Sequence, residues 1–168
     1  NDDDTVYPEI FITEIADPDN DYASRYIELY SPDGAGQTIT RDLYLLRWSN
    51  NNSSASTATA ISLKDIQISS DGFILIASTQ ATAESVYPVS FDINGGNSGP
   101  AASDGNDPIA LINGAPDGVY TVLDSYGIPG TVASDAGFFF RDGRAERKAS
   151  VTTASATWNS DEWTIVND

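Results

Sequence analysis

Short strand-like segments separated by turn signals follow one another along almost the whole chain, and this pattern limits the possible folds most. The segments are rich in β-branched and aromatic residues, whereas Gly, Pro, Asp and Asn collect between them. They cover residues 9–16, 25–30, 43–49, 60–68, 73–77, 109–112, 119–123 and 138–140, with a last one inside residues 150–167. One helix is predicted, over residues 81–86. About seven to nine short strands of this kind predict an all-β sandwich.

Individual segments add detail to this prediction. Residues 109–112 and 119–123 flank the turn sequence NGAPDG, which predicts a hairpin. Strict alternation in the first segment assigns its faces, with Ile10 and Ile12 on one side and Phe11, Thr13 and Ile15 on the other.

The charge balance limits the partners of the chain. Its 168 residues include 25 acidic and 8 basic side chains, which give a formal net charge of −17. Phosphate contacts need Lys and Arg, so we expect no nucleic-acid surface and no docking on anionic lipid. An acidic surface stays soluble in salt and attracts divalent cations, which fits a saline extracellular setting.

Two missing residue types limit the chemistry. Without Cys and His, the chain has no disulfide, thiolate, Ser-His-Asp triad or imidazole ligand. It has no run of about 18 apolar residues, so we expect no membrane insertion. Because the sequence starts at Asn1 without Met, we expect a mature segment whose leader has been removed, or a domain cut from a longer protein. Within it, residues 1–8 are predicted to be an acidic extension and residues 9–168 one sandwich domain.

An acidic loop between the first two strand segments is a candidate calcium site. Asp17, Asp19 and Asp21 follow the D-x-D-x-D phase in which alternate side chains offer oxygen ligands to Ca²⁺. Glu28 falls at the twelfth place of such a loop, but Tyr22 occupies the place that needs Gly. A calcium site of another geometry and a solvated, Asp-rich turn both remain open.

A second oxygen-rich cluster lies in the long loop of residues 91–107. Its candidate ligands are Asp104, Asn106 and Asp107, with Asp92 and Asn94 earlier in the loop. Gly105 permits a sharp backbone turn around a cation. The alternative is an ordinary turn into the next strand.

Residues 141–148 hold four of the eight basic residues. They can contact an anionic partner, such as an acidic loop of a neighbouring copy. They can instead pair with local carboxylates, including Asp142 and Glu146, and tie the segment to the sheet. We favour the structural interpretation because arginine forks usually pair with carboxylates in and near cores.

Catalysis by two carboxylates is the main enzymatic mechanism that remains without His and Cys. Glu14 and Glu28 lie on neighbouring predicted strands, and Arg47 is a candidate bridge between them. No substrate cleft is marked, so we expect no enzyme.

Exposed aromatic residues can bind carbohydrate by stacking. The candidates are Tyr22, Trp48, Tyr87, Tyr120 and Tyr126. Most of them occupy strand positions and are expected in the core or at its rim.

Five blocks of the sequence, in order, resemble the lamin tail domain, and in particular its bacterial secreted branch. The blocks are ITEIADPDNDYASRYIELYSP, LYLLRW, DGFILIAS, DPIALINGAPDGVYTVLDSYGIPG and FFFRDGRAERKASV, followed by Trp158 and Trp163. The resemblance implies an immunoglobulin-like β-sandwich that acts as a non-catalytic interaction module. In bacteria such domains often accompany secreted nucleases, phosphatases and adhesins. The chain lacks the heptads of a lamin rod.

These observations predict a calcium-stabilised, secreted interaction module. Its role would be surface adhesion, extracellular matrix or self-assembly, with another protein or copies of itself as partner. In self-assembly, the acidic N-terminus would add to the sheet edge of another copy. The alternative is an accessory targeting domain of a secreted hydrolase. Carbohydrate remains open as a ligand.

Overall fold

The structure is a computed structural model that describes residues 7–54 and 59–167. Across these ranges the chain forms ten β-strands in two sheets, with little helix, which confirms the all-β prediction. The strands are β1 Phe11–Ala16, β2 Tyr26–Tyr30, β3 Leu43–Arg47, β4 Ala60–Ser62, β5 Phe73–Ala77, β6 Ile93–Asn94, β7 Ile109–Gly114, β8 Tyr120–Tyr126, β9 Arg144–Arg147 and β10 Trp163–Val166. Most of the predicted acidic extension, residues 1–6, lies outside the described residues.

One sheet has six strands and the other has four. The six-stranded sheet has the order β10-β9-β1-β2-β5-β6, and its strand pairs are antiparallel except β5 with β6. The four-stranded sheet has the order β4-β3-β7-β8 and is antiparallel throughout. The β7–β8 pair is the predicted hairpin.

Helical segments are short. Helix α1, Gln80–Val86, confirms the predicted helix, and α2, Ala133–Ala136, was not predicted. Four residues are too few for a helical period to show in a sequence. Within the described ranges, 3₁₀ turns occupy Pro18–Asn20, Pro100–Ala102 and Ser160–Glu162.

The main hydrophobic core lies between the sheets, because its buried side chains come from both. Ile27 and Ile76 belong to the six-stranded sheet, and Leu45 and Leu111 to the four-stranded one. An aromatic group closes one part of this core. It consists of Tyr126, Phe138, Trp158 and Trp163, with Tyr126 ring centroids 5.1 Å from Trp158 and 4.9 Å from Trp163. Both tryptophans therefore help to cover the core.

A β-bulge corrects the predicted faces of β1. Ile12 pairs with Leu29, but Glu14 pairs with Glu28, so Thr13 is an extra residue in β1. The bulge puts Ile12 and Ile15 on the same side, and both are buried in the core. Strict alternation had placed them on opposite sides, and it fails wherever a strand contains an inserted residue.

The strand prediction for residues 138–140 was wrong. Phe138 and Phe140 are buried and Phe139 is exposed, so the segment has the alternation of a strand without a ladder partner. The Tyr126 hydroxyl donates to the Phe138 carbonyl, and the Phe140 amide donates to the Gly105 carbonyl. The next strand is instead β9, inside the basic segment of residues 141–148.

Candidate functional site

Three glutamates form a row across the outer face of the six-stranded sheet. Glu28 of β2 pairs with Glu14 of β1, and Glu14 pairs on its other side with Glu146 of β9. Their sequence neighbours Ile15, Ile27 and Ala145 point into the core, so the three carboxylates point away from it. We call these three residues the carboxylate row. Like charges directly opposite each other on neighbouring strands destabilise a sheet.

Few partners compensate this charge. Thr13 Oγ1 donates to Glu28 Oε1 at 2.7 Å, and Tyr26 Oη donates to Glu14 Oε1 at 2.9 Å. Arg144 Nε lies 2.7 Å from Glu146 Oε1 and 3.6 Å from Glu14 Oε1. One guanidinium therefore serves two of the three carboxylates.

The electrostatic cost appears in the pKa values of the row. Burial raises the pKa of Glu14 above its usual 4.5, the Tyr26 hydrogen bond opposes the rise, and the charges of Glu28 and Glu146 add to it. Burial likewise raises the pKa of Glu28; Thr13 opposes the rise, and Asp71 and Glu146 add to it. Ionised carboxylates at these positions therefore cost free energy in the folded protein.

An aromatic groove of about 420 Å³ borders one end of the row. Phe11, Tyr30 and Phe73 line it together with Glu28, and Arg147 and Lys148 line it from the β9 side. The Tyr30 ring centroid is 6.0 Å from that of Phe11 and 4.8 Å from that of Phe73. The row therefore lies directly beside an apolar surface.

A second hollow, of about 310 Å³, lies at Glu14 and Glu146. Tyr26, Tyr87 and Arg144 also line it. The Tyr26 ring is 5.2 Å from that of Tyr87, and helix α1 ends just before Tyr87. Each of the two hollows is therefore lined by both carboxylates and aromatic rings.

The first predicted calcium loop is only partly open. Asp17 is 1% exposed and accepts a hydrogen bond from Arg25 Nε at 2.6 Å. Burial raises the pKa of Asp17, and Arg25 opposes the rise. Asp19 and Asp21 are exposed, and Asp21 Oδ1 accepts from the Ala23 amide at 3.2 Å. Asp17 is therefore engaged by an arginine, whereas the other two carboxylates face solvent.

The second predicted calcium loop likewise contains one carboxylate paired with arginine and one exposed carboxylate. Asp107 is buried and accepts from Arg47 Nη1 at 2.8 Å and from the Asn50 amide at 2.5 Å. Asp104 is exposed, and the Asn106 Oδ1 atom is buried without a hydrogen-bond partner. No group of three or more acidic residues in the described ranges is placed to hold a metal ion. Calcium stays a prediction.

Gly105 has a packing reason for its conformation. Its φ is +88°, and a Cβ built there would lie 2.3 Å from the Phe140 carbonyl oxygen. The close approach of the Phe140 backbone is therefore enough to require glycine at position 105, whether or not the loop binds a cation.

Arg47 does not bridge Glu14 and Glu28, which corrects another prediction. It belongs to β3 of the other sheet, where it pairs with Asp107. Glu14 and Glu28 are direct cross-strand neighbours. Among the aromatic residues considered for carbohydrate stacking, Trp48 and Tyr126 are buried and Tyr22 is exposed.

A buried ion network connects the two sheets, and we use this name for Arg147, Asp124 and Glu162. Arg147 Nη1 donates to both Asp124 oxygens, at 2.9 and 2.7 Å, and Nη2 donates to Glu162 Oε2 at 2.7 Å. Asp124 also accepts from the Ile12 and Ser155 amides at 2.8 Å each. Burial raises the pKa of Asp124, while Arg147 and the amides oppose the rise. Arg147 therefore has a structural role, as we favoured, but its partners are the distant Asp124 and Glu162 and not the local carboxylates that we expected.

Neither the carboxylate row nor the buried ion network was predicted from the sequence as a whole. Asp124 had a weak signal, since it is an acidic residue that directly follows the predicted strand segment of residues 119–123. Glu146 was seen only as a partner for nearby arginines, because nothing local shows that β9 pairs with β1.

Comparison with known proteins adds no identification. No protein-family model, curated protein or solved structure matches the chain. No helix in the described part of the chain is long and apolar enough to cross a membrane.

Proposed function

We propose that this protein is a non-catalytic interaction module whose binding face is the outer face of the six-stranded sheet. The carboxylate row carries the proposal. Glu28, Glu14 and Glu146 oppose one another on three neighbouring strands, with one arginine between them. An ordered face that keeps destabilising charges is typical of a surface retained for binding.

The resemblance to the lamin tail domain supports the same class of function. In this proposal the two sheets are an immunoglobulin-like sandwich, and the protein acts outside the cell or on its surface, in adhesion or matrix. A net charge of −17 supports a saline extracellular setting.

Charge also bears on self-assembly. Two copies that each carry −17 repel, and the binding face itself is acidic. Assembly of identical copies through this face would need cations such as calcium between them, whereas a basic partner can bind directly. A partner of opposite charge is therefore the simpler occupant.

A binding screen with matched charge variants tests the proposal. The protein, Glu14→Gln and Asp117→Asn would be passed over immobilised polylysine, neutral polysaccharides and the protein itself, with calcium or with chelator. Asp117 is exposed in the β7–β8 turn, so its variant loses the same charge away from the face. At least one surface should bind the native protein and Asp117→Asn equally and Glu14→Gln more weakly. If no surface distinguishes the two variants, the outer face is not the binding face.

A further inference from the structure

We propose that the outer face of the six-stranded sheet binds an extended protein segment that carries lysine or arginine side chains beside one large apolar side chain. This inference rests on the proposed function and names the chemistry of its partner. Three features of the face carry it: its charge, the spacing of its carboxylates and the adjoining aromatic groove.

The face has more carboxylates than cations, so it favours a positively charged ligand. Glu28 interacts electrostatically with Asp71 and with the other members of the row. In the described part of the chain, Arg144 is the cation that forms ion pairs with the row. Glu14 and Glu146 side chains keep 18% and 44% of their exposure, so a ligand can reach them. An incoming cation would replace the repulsion among carboxylates with attraction.

The spacing favours several cations over a single ion. Neighbouring strands lie about 4.8 Å apart, so the row extends about 10 Å across β2, β1 and β9. In the described conformation its members do not converge on one metal position. Side chains on one face of an extended peptide recur about every 7 Å, and long Lys or Arg side chains can adjust to the row.

The aromatic groove favours a peptide over a simple polyamine. Phe11, Tyr30 and Phe73 line it on the same face as the row, and Glu28 belongs to both the row and the groove. Lys148 also lines the groove, so its apolar part suits an uncharged side chain better than another cation. An apolar side chain that follows the basic residues of one segment would enter this groove. Burying it would add affinity that a purely cationic ligand lacks.

Binding of a designed peptide tests the inference. The probe is the acetylated, amidated peptide KSKSKSF, which places three lysines and one phenylalanine on the same face of an extended chain. Controls are QSQSQSF, KSKSKSS, spermidine and CaCl₂, and affinity is measured by titration calorimetry at low and high salt. We expect KSKSKSF to bind most tightly and to weaken as salt rises.

Matched protein variants locate the binding. Glu14→Gln should weaken KSKSKSF about five-fold, while Asp117→Asn leaves it unchanged. Phe73→Thr, which replaces the ring with a β-branched residue that favours a strand, should weaken KSKSKSF but not KSKSKSS. Arg144→Gln removes the competing cation and should tighten the peptide about two-fold, a gain that misfolding cannot produce.

Several results would overturn the inference. Equal binding of KSKSKSF and QSQSQSF would remove the role of charge. Equal binding of KSKSKSF and spermidine, with Phe73→Thr silent, would leave a cation site without a protein partner, and displacement by equimolar calcium would leave a metal site. If the peptide fails while another surface in the screen distinguishes Glu14→Gln from Asp117→Asn, the interaction module stands and only its partner class is wrong. If both experiments fail, the proposed function fails too.

Discussion

The buried ion network and the carboxylate row use the same kind of side chain in opposite ways. Asp124 lies between the sheets, where Arg147 and two backbone amides donate to it. Glu14 lies on the outer face opposite two other glutamates, and its closest donor is the Tyr26 hydroxyl. One carboxylate is surrounded by fixed donors, and the other by like charges.

The difference teaches that burial alone does not give an acidic residue its role. Burial raises the pKa of both Asp124 and Glu14. At Asp124 the geometry is complete, so removing either partner leaves a charge stranded between the sheets. At Glu14 the geometry is incomplete, so a ligand can supply what the protein does not.

Removal of Arg147 should have the largest effect. Arg147→Leu leaves Asp124 buried without its cation and should lower the free energy of unfolding by about 3–5 kcal/mol. Urea unfolding followed by circular dichroism measures the change. Arg144→Leu, on the outer face, is the control and should cost less than about 1 kcal/mol. If both variants lost the same free energy of unfolding, the proposed difference between the buried ion network and the carboxylate row would be wrong.

Calcium should have the next largest effect on stability. Its predicted site is the acidic loop of Asp17, Asp19 and Asp21, which contains both a carboxylate paired with arginine and carboxylates exposed to solvent. Asp17 is held by Arg25, like a network residue, while Asp19 and Asp21 face solvent, like free ligands. If calcium binds only the folded protein, about 100 times its Kd adds about 2.7 kcal/mol of stability. Thermal melts in chelator, calcium and magnesium should show a calcium-selective rise that Asp19→Ala abolishes. Identical melts in all conditions would make the loop a solvated turn.

The smallest effect is expected at the row, where removal of a charge should stabilise the protein. Glu14→Gln should raise the free energy of unfolding at neutral pH by up to about 1 kcal/mol, because it removes a like-charge contact.

The pH dependence has a defined sign. The pKa of Glu14 is raised above 4.5 on folding, so above that pH the folded state binds more protons than the unfolded chain. Its contribution is therefore most favourable below pH 4.5 and is lost as the pH rises through the raised folded value. Denaturant midpoints measured across this range should fall less steeply in Glu14→Gln than in the native protein. Parallel profiles would contradict the proposed strain in the row.

Part of this architecture was predictable because its signals are local. The NGAPDG hairpin, helix α1 and most strands follow from residue types within a few positions of each other. Residues 138–140 show the limit of such signals. Their alternation arises from packing against Gly105 and Tyr126 rather than from a strand partner.

The candidate site was only partly predictable, because its members come from strands whose order is not written locally. Glu14 and Glu28 were expected on neighbouring strands, and they are paired directly. Glu146 joins them because β9, a strand near the end of the chain, inserts between β10 and β1. Strand order depends on which apolar faces can be buried together, which is a property of the whole chain.

By itself, the sequence determined an all-β chain, strongly acidic and without the side chains of cysteine or histidine chemistry. These properties depend on composition and on the period of the side chains along one strand. The tertiary structure alone decided that the bulge at Thr13 sends Ile12 and Ile15 to the same core. It alone also decided that Arg147 meets Asp124 inside while Glu14 meets Glu146 outside. The reason is that register and strand pairing join residues that are distant in the chain, and their free energy is set by the contacts of the folded protein.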